Sequence, residues 1–105
     1  MKENSNIRRS LFIGRFQPFH DGHMWLIEQR LKLGKDILIG VMDIHDCEPE
    51  KNPFETQEVV QTIQDRLKDL INEGRVKIMV VPPIESINYG RTVGYDIIEH
   101  EPPRS

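Results

Sequence analysis

A parallel α/β sheet flanked by helices is the fold class this sequence predicts, on three observations. The runs Leu11-Phe12-Ile13, Ile37 to Met42 and Val76 to Val81 are apolar without alternation, the pattern of strands buried on both faces. Between them lie two stretches whose apolar residues recur at helical spacing. The connections are short, and a strand-helix-strand-helix-strand order then closes as right-handed parallel crossovers.

The elements follow in order. Ser10 to Gly14 reads as the first strand, after a polar lead. From about Gly22 to Leu33, Met24, Ile27 and Leu31 form a helical stripe that Leu26 widens, and Gly34 caps its C-terminus. Ile37 to Met42 is the second strand. Asp43 to Phe54 is a polar loop with Pro49 and Pro53, expected to be mobile. Thr56 is placed to cap the next helix, whose first turn carries Glu58, an anion suited to the helix dipole. That helix presents Val59, Val60, Ile63, Leu67, Leu70 and Ile71 to the core, and Gly74 stops it. Val76 to Val81 is the third strand, closed by Pro82-Pro83. Beyond it the sequence predicts a loop, a short helical turn near Asn88 to Gly94 and a strand around Tyr95 to Glu99.

Composition bounds the function. At 105 residues the chain reads as one domain, residues 1–105, with 1–7 frayed. Charged residues make up 30% and hydrophobic ones 37%, values of a globular chain, and no apolar run approaches the ~20 residues that span a bilayer. MKENSNIRRS has no apolar stretch of a signal peptide, and a lone cysteine, Cys47, allows no internal disulfide; both point to the cytoplasm. The net charge of -3 argues against general binding to nucleic acid or anionic membranes. A small anionic ligand needs only a local positive site.

In open parallel sheets, ligands bind beyond the carboxyl ends of the strands. That rule singles out GRFQPFHDGH, Gly14 to His23, directly after the first strand. The segment contains neither G-x-G-x-x-G nor G-x-x-x-x-G-K-[ST], so a dinucleotide fingerprint and a P-loop are both unsupported. It suits a polyphosphate by other means. Gly14 lets the backbone bend and permits close approach. Arg15 brings a permanent cation with a planar fork for phosphate oxygens. Pro18 stiffens the loop, and Gly22 leaves room at a first helical turn whose N–H groups favour anions. His20 and His23 lie three apart, so a turn can aim both imidazoles at one point, as donors to a leaving phosphate.

Blander readings stand beside this one. A single loop histidine is more often solvent-facing or structural, so the weight rests on the pair and its placement. A zinc site needs more than His-x-x-His, and the only other source, His45/Asp46/Cys47/Glu48, reads better as a solvated loop. Asp43, ending the second strand, faces the ligand edge, whereas Arg8 and Arg9 precede the first strand and face the opposite one. Trp25 reads as packing, Cys47 as unreactive, and Tyr89 and Tyr95 as packing residues or contacts to a base or acceptor.

GRFQPFHDGH closely resembles the H-x-G-H signature of the nucleotidyltransferase α/β phosphodiesterase superfamily, the cytidylyltransferase-like group, through His20, Gly22 and His23. The G-R-F-Q-P lead is especially similar to nicotinamide mononucleotide adenylyltransferases. NPFETQE, Asn52 to Glu58, resembles their N-P-F-T-x-x-E-R segment, with Val59 in place of the arginine. GRTVG, Gly90 to Gly94, is similar to R-T-E-G of the glycerol phosphate cytidylyltransferases.

The resemblance implies a Rossmann-like sheet and transfer of a nucleoside monophosphate group from ATP or CTP to a phosphate-bearing acceptor. Pyrophosphate is released, and adenylyl transfer is favoured over cytidylyl. It implies His20 and His23 as catalytic contacts to the triphosphate, Gly22 leaving them room, the backbone of Arg15 and Phe16 lining the nucleotide and the Arg15 side chain on a phosphate; Gly14, Asp43 and Arg91 join them as nucleotide-binding positions, Gly14 and Asp43 by their places at the sheet edge. It implies Mg²⁺ held mainly by the triphosphate, no protein metal site, and a homo-oligomer. One departure accompanies it: no I-S-S-T-x-x-R type segment follows, and three strands and a candidate fourth are read where the family's sheet has five. The resemblance thus implies either a C-terminally truncated chain or a minimal relative using other cations, with Arg91 and Arg104 as candidates. The alternative to an enzyme is a non-catalytic nucleotide-binding module.

Overall fold

The computed structural model describes residues 7–90, 94 and 96–100. Its elements are β1 (Arg9–Gly14), α1 (Asp21–Leu31), β2 (Asp36–Met42), α2 (Thr56–Arg66), α3 (Lys68–Asn72) and β3 (Val76–Val81). The strands form one parallel sheet in the order β1-β2-β3, with Leu11 opposite Leu38 and Ile39 opposite Ile78. The Rossmann-like α/β architecture expected from the apolar runs is therefore present.

Strand order follows chain order, so two right-handed crossovers place α1 and α2 on the same face. The core confirms it. Alternate residues of β2, Ile37, Ile39 and Val41, are fully buried beneath Ile27 of α1 and Val59 and Ile63 of α2. Leu67 and Val76 close the lower end of this layer. The opposite sheet face carries Leu11, Ile13 and Val81 gathered over Gly40, where a Cβ would lie 3.4–3.7 Å from their side chains. Leu11 and Met79 on this face are exposed among the described residues.

Several local features differ from the sequence expectation. The second helix is two: Leu67, at φ -109 and ψ 21, breaks it into α2 and α3 while its side chain stays buried. Burial of Leu67 sets the chain direction there, and helix propensity gives way to packing. Gly34 and Gly74 end the helices at positive φ, as the C-cap reading requires. The loop 43–55 is tied by turns: Cys47 and Glu48 N–H groups donate to the Ile44 carbonyl, and Asn52 N–H to the Glu48 carbonyl at 3.0 Å. Within it Ile44 and Asn52 are buried, and the Asn52 carboxamide donates to Glu48 O while its Oδ1 has no partner among the described residues.

Arg9, which the sequence places before the first strand, is the first residue of β1, at the lower edge. It is half-buried there, donating to the carbonyls of Ile37 and Gly74 and so tying β1 to β2 and to the turn before β3. The expected turn near 88–94 and strand near 95–99 fall partly outside the described residues. Residues 88–90, 94 and 96–100 belong to no helix or strand. No helix among the described residues is long and apolar enough to cross a membrane.

Ile63 is fully buried at the centre of the helix layer. Ile63→Ala is expected to cost about 2–5 kcal/mol through lost burial and a cavity. A urea titration should show a lower midpoint with unchanged slope.

Candidate active site

The loop leaving β1 is held mainly by side chains. Residues 15–19 make no backbone-to-backbone hydrogen bond to another described residue. Phe16 adopts φ 52, a left-handed conformation that a non-glycine residue takes at a cost of about 1–3 kcal/mol. Its ring turns back onto Gly14, where a Cβ would stand 3.0 Å from the ring. Gly14 thus makes room for Phe16. The Phe16 ring is buried against Phe19 and His23, leaving only its backbone to face a ligand. Arg15 beside it is exposed, with no hydrogen-bond or ion-pair partner among the described residues.

His20 is the N-cap of α1, in extended backbone geometry. Its Nδ1 accepts from Gly22 N–H at 3.0 Å, while the His20 N–H donates to His23 Nδ1 at 3.1 Å. Two histidines therefore form the reciprocal capping box usually made by Ser or Thr and Glu. The rings stack with centroids 3.9 Å apart. A Cβ on Gly22 would lie 2.9 Å from His20 Cε1, so this glycine admits the capping imidazole. The sequence reading reserved that space, and the first-turn N–H groups, for phosphate. In the structure the His20 ring fills that space and accepts the Gly22 N–H.

The caps fix the chemistry of the rings. An Nδ1 that accepts from a backbone N–H carries no proton, so each neutral imidazole bears its proton on Nε2. Both rings then offer Nε2–H as a donor, with no Nε2 lone pair for a metal ion. This disfavours zinc at the pair, and among the described residues no three His, Cys, Asp or Glu side chains gather to hold one. Burial, and secondarily the neighbouring His20, lower the His23 pKa from 6.5 to about 4. His23 is accordingly a neutral donor near pH 7, supported on its other side by the Phe19 ring 5.5 Å away.

Asp43 follows β2 at the same sheet edge, and its Oδ1 accepts from the Thr56 hydroxyl at 2.7 Å. Thr56 therefore does not cap α2. Glu55 is the N-cap, and its N–H donates to the Glu58 carboxylate. His45 Nδ1 lies 2.6 Å from the Asn52 carbonyl, so this ring braces its own loop and does not join Asp46, Cys47 and Glu48 in a cluster. Arg91, Tyr95 and Arg104 lie outside the described residues.

One residue escaped the sequence reading. The Gln17 carboxamide donates to the Phe54 carbonyl and accepts from the Phe54 N–H, both at 2.9 Å. It joins the loop after β1 to the segment before α2, the two stretches quoted above as resembling one family. The signal was its position inside GRFQP, an amide amid apolar and turn residues, but its partner lies 37 residues away.

The sequence model of the cytidylyltransferase-like family matches residues 11–99. This chain belongs to that family. The chain is 36% identical over 80 residues to a nicotinamide-nucleotide adenylyltransferase of Methanospirillum hungatei, covering 76% of this chain and 43% of the relative. Identity to the protein of that name in Methanolobus tindarius is 40% over 63 residues, 60% of this chain and 36% of the relative. For that of Saccharolobus solfataricus it is 36% over 77 residues, 72% and 45%. The cytidylyltransferase-like chain thus spans less than half the length of these curated relatives.

Two outcomes follow from the capped pair. Folding holds His23 neutral, so between about 4 and 6.5 the unfolded chain binds more protons than the native one. Stability rises with pH across that window and is lost as pH falls through it. Urea midpoints should drop as pH is lowered from about 7 to about 4, with a flatter profile for His23→Gln. Gly22→Ala, which drives a methyl into the His20 ring, should cost about 0.5–2 kcal/mol in the same titration at neutral pH.

Proposed function

We propose that this chain carries the triphosphate-binding part of an adenylyltransferase that transfers the adenylyl group of ATP to a phosphate-bearing acceptor. The relatives' names point to nicotinamide nucleotide as that acceptor. The observation that carries the reading is the stacked His20–His23 pair, whose Nδ1 atoms are both engaged by backbone N–H groups.

A phosphate oxygen of the acceptor is already anionic at neutral pH, so the attack needs no general base. It forms a bond to the α-phosphorus of ATP as the α–β bridging bond breaks and pyrophosphate leaves. Catalysis then consists of alignment and stabilisation of charge on the α-phosphoryl and departing oxygens. The two Nε2–H donors supply the second of these without the cost of moving a proton. His23, neutral near pH 7, keeps its donor there throughout turnover.

Other positions take lesser parts in this reading. The exposed Arg15 holds a phosphate oxygen, and the backbone of Gly14 to Phe16 lines the nucleotide. Gly22 acts through the His20 ring it admits. Asp43, fixed by Thr56, faces the nucleotide from the end of β2, and Arg91 is a further nucleotide contact. Mg²⁺ enters as part of the nucleotide substrate, held by phosphate oxygens. The donors described at this edge are chiefly N–H groups, which suit the oxygens the ion leaves free.

Pyrophosphate release from ATP, Mg²⁺ and nicotinamide nucleotide tests the proposal. Release is expected with ATP and not CTP, and His23→Ala should lower it about 10²–10³-fold, the loss typical of one removed oxyanion donor. Nucleotide binding without release from any acceptor would instead make this chain a binding module.

A further inference from the structure

We propose that Gln17 is a positioning residue, whose amide locks the imidazole-bearing loop to the segment before α2 and so sets where the two Nε2–H groups point. The inference rests on the reading of His20 and His23 as phosphate donors and extends it to a residue that touches neither histidine.

The geometry of the contact is that of a strand bridge made by a side chain. Gln17 Nε2 donates to Phe54 O and Phe54 N–H donates to Gln17 Oε1, each at 2.9 Å. A carboxamide does both at once from two separate atoms, whereas a carboxylate cannot donate and an apolar side chain can do neither. The anchor is firm. Two residues before Phe54, Asn52 is fully buried and bonded to the Glu48 carbonyl, and its own carbonyl is braced by His45. One residue after it, Glu55 opens α2.

The other end of the contact is the part of the loop that needs holding. Residues 15–19 have no backbone hydrogen bond to another described residue, and the Phe16 and Phe19 rings fix the loop only from beneath. Gln17 alone ties its outer side through a hydrogen bond among the described residues. From Gln17 the chain runs three residues to His20, whose N–H fixes the proton of His23 on Nε2. If the loop lifts, that N–H moves away from Nδ1, the tautomer is released and both donors lose their aim. An ångström of such misplacement is enough to slow an aligned reaction about 10²-fold.

The test uses Gln17→Met, which keeps length and loses both bonds, and Gln17→Glu, which keeps only the bond from Phe54 N–H. Imidazole ¹⁵N spectra report the tautomer of each ring, and kcat and KM are read from pyrophosphate release with MgATP. In Gln17→Met the Nε2–H signature of His23 should give way to mixed tautomers and its titration midpoint should rise. Its kcat should fall about 10–100-fold with a smaller change in KM for ATP. Gln17→Glu should lie between it and wild type. Wild-type ring spectra and kcat in both variants, with only a lowered melting temperature, would overturn the proposal. If wild type releases no pyrophosphate, the adenylyltransferase reading fails, and the ring spectra alone still decide the role of Gln17.

Discussion

Two backbone N–H groups at the start of α1 govern the site, because imidazole nitrogens satisfy both of them. A helix start leaves such donors without partners, and anion sites usually use them directly. Here they are used to orient side chains. Once His20 caps Gly22 and the His20 N–H binds His23, neither ring can rotate without breaking a cap. Each ring is then left with Nε2–H as its outward donor at the start of the helix. Gly22, Phe16 and Phe19 all serve this arrangement, the first by omission of a Cβ and the others as the surface on which His23 lies.

Much of the fold was legible because it depends on local chemistry. Unalternating apolar runs marked β1, β2 and β3, helical stripes marked α1 and α2, and Gly34 and Gly74 marked their ends. The edge carrying the site followed from the direction of the strands. His20, Gly22 and His23 were legible as a group because their spacing is itself local.

What could not be read depends on contacts distant in sequence. The chain alone gives no sign that Gly14 makes room for the Phe16 ring, or that Thr56 reaches back to Asp43 and leaves its helix to Glu55. The break at Leu67 is a packing decision made by the sheet beneath it. Gln17 and Phe54 are joined only in the folded molecule, though each lies in a stretch with a recognisable pattern. Spacing shows that two imidazoles lie near a helix start, but not which of their nitrogens faces it.

The strand order has a consequence for how this molecule comes into being. Because β1, β2 and β3 lie side by side in the order of synthesis, β2 and β3 each pair with a neighbour already made. No strand must wait for a distant partner to be inserted between two others, a low-contact-order path that favours rapid assembly. The described pieces of the site, from Gly14 to Thr56, all precede α3 and β3. The cap, the Gln17 contact and the Asp43–Thr56 bond draw no side chain from α3 or β3, and β3 reaches them only through the Val81 carbonyl that accepts the Asp43 N–H. The edge that carries His20 and His23 is thus built from the earlier part of the described chain, and β3 joins it at Asp43.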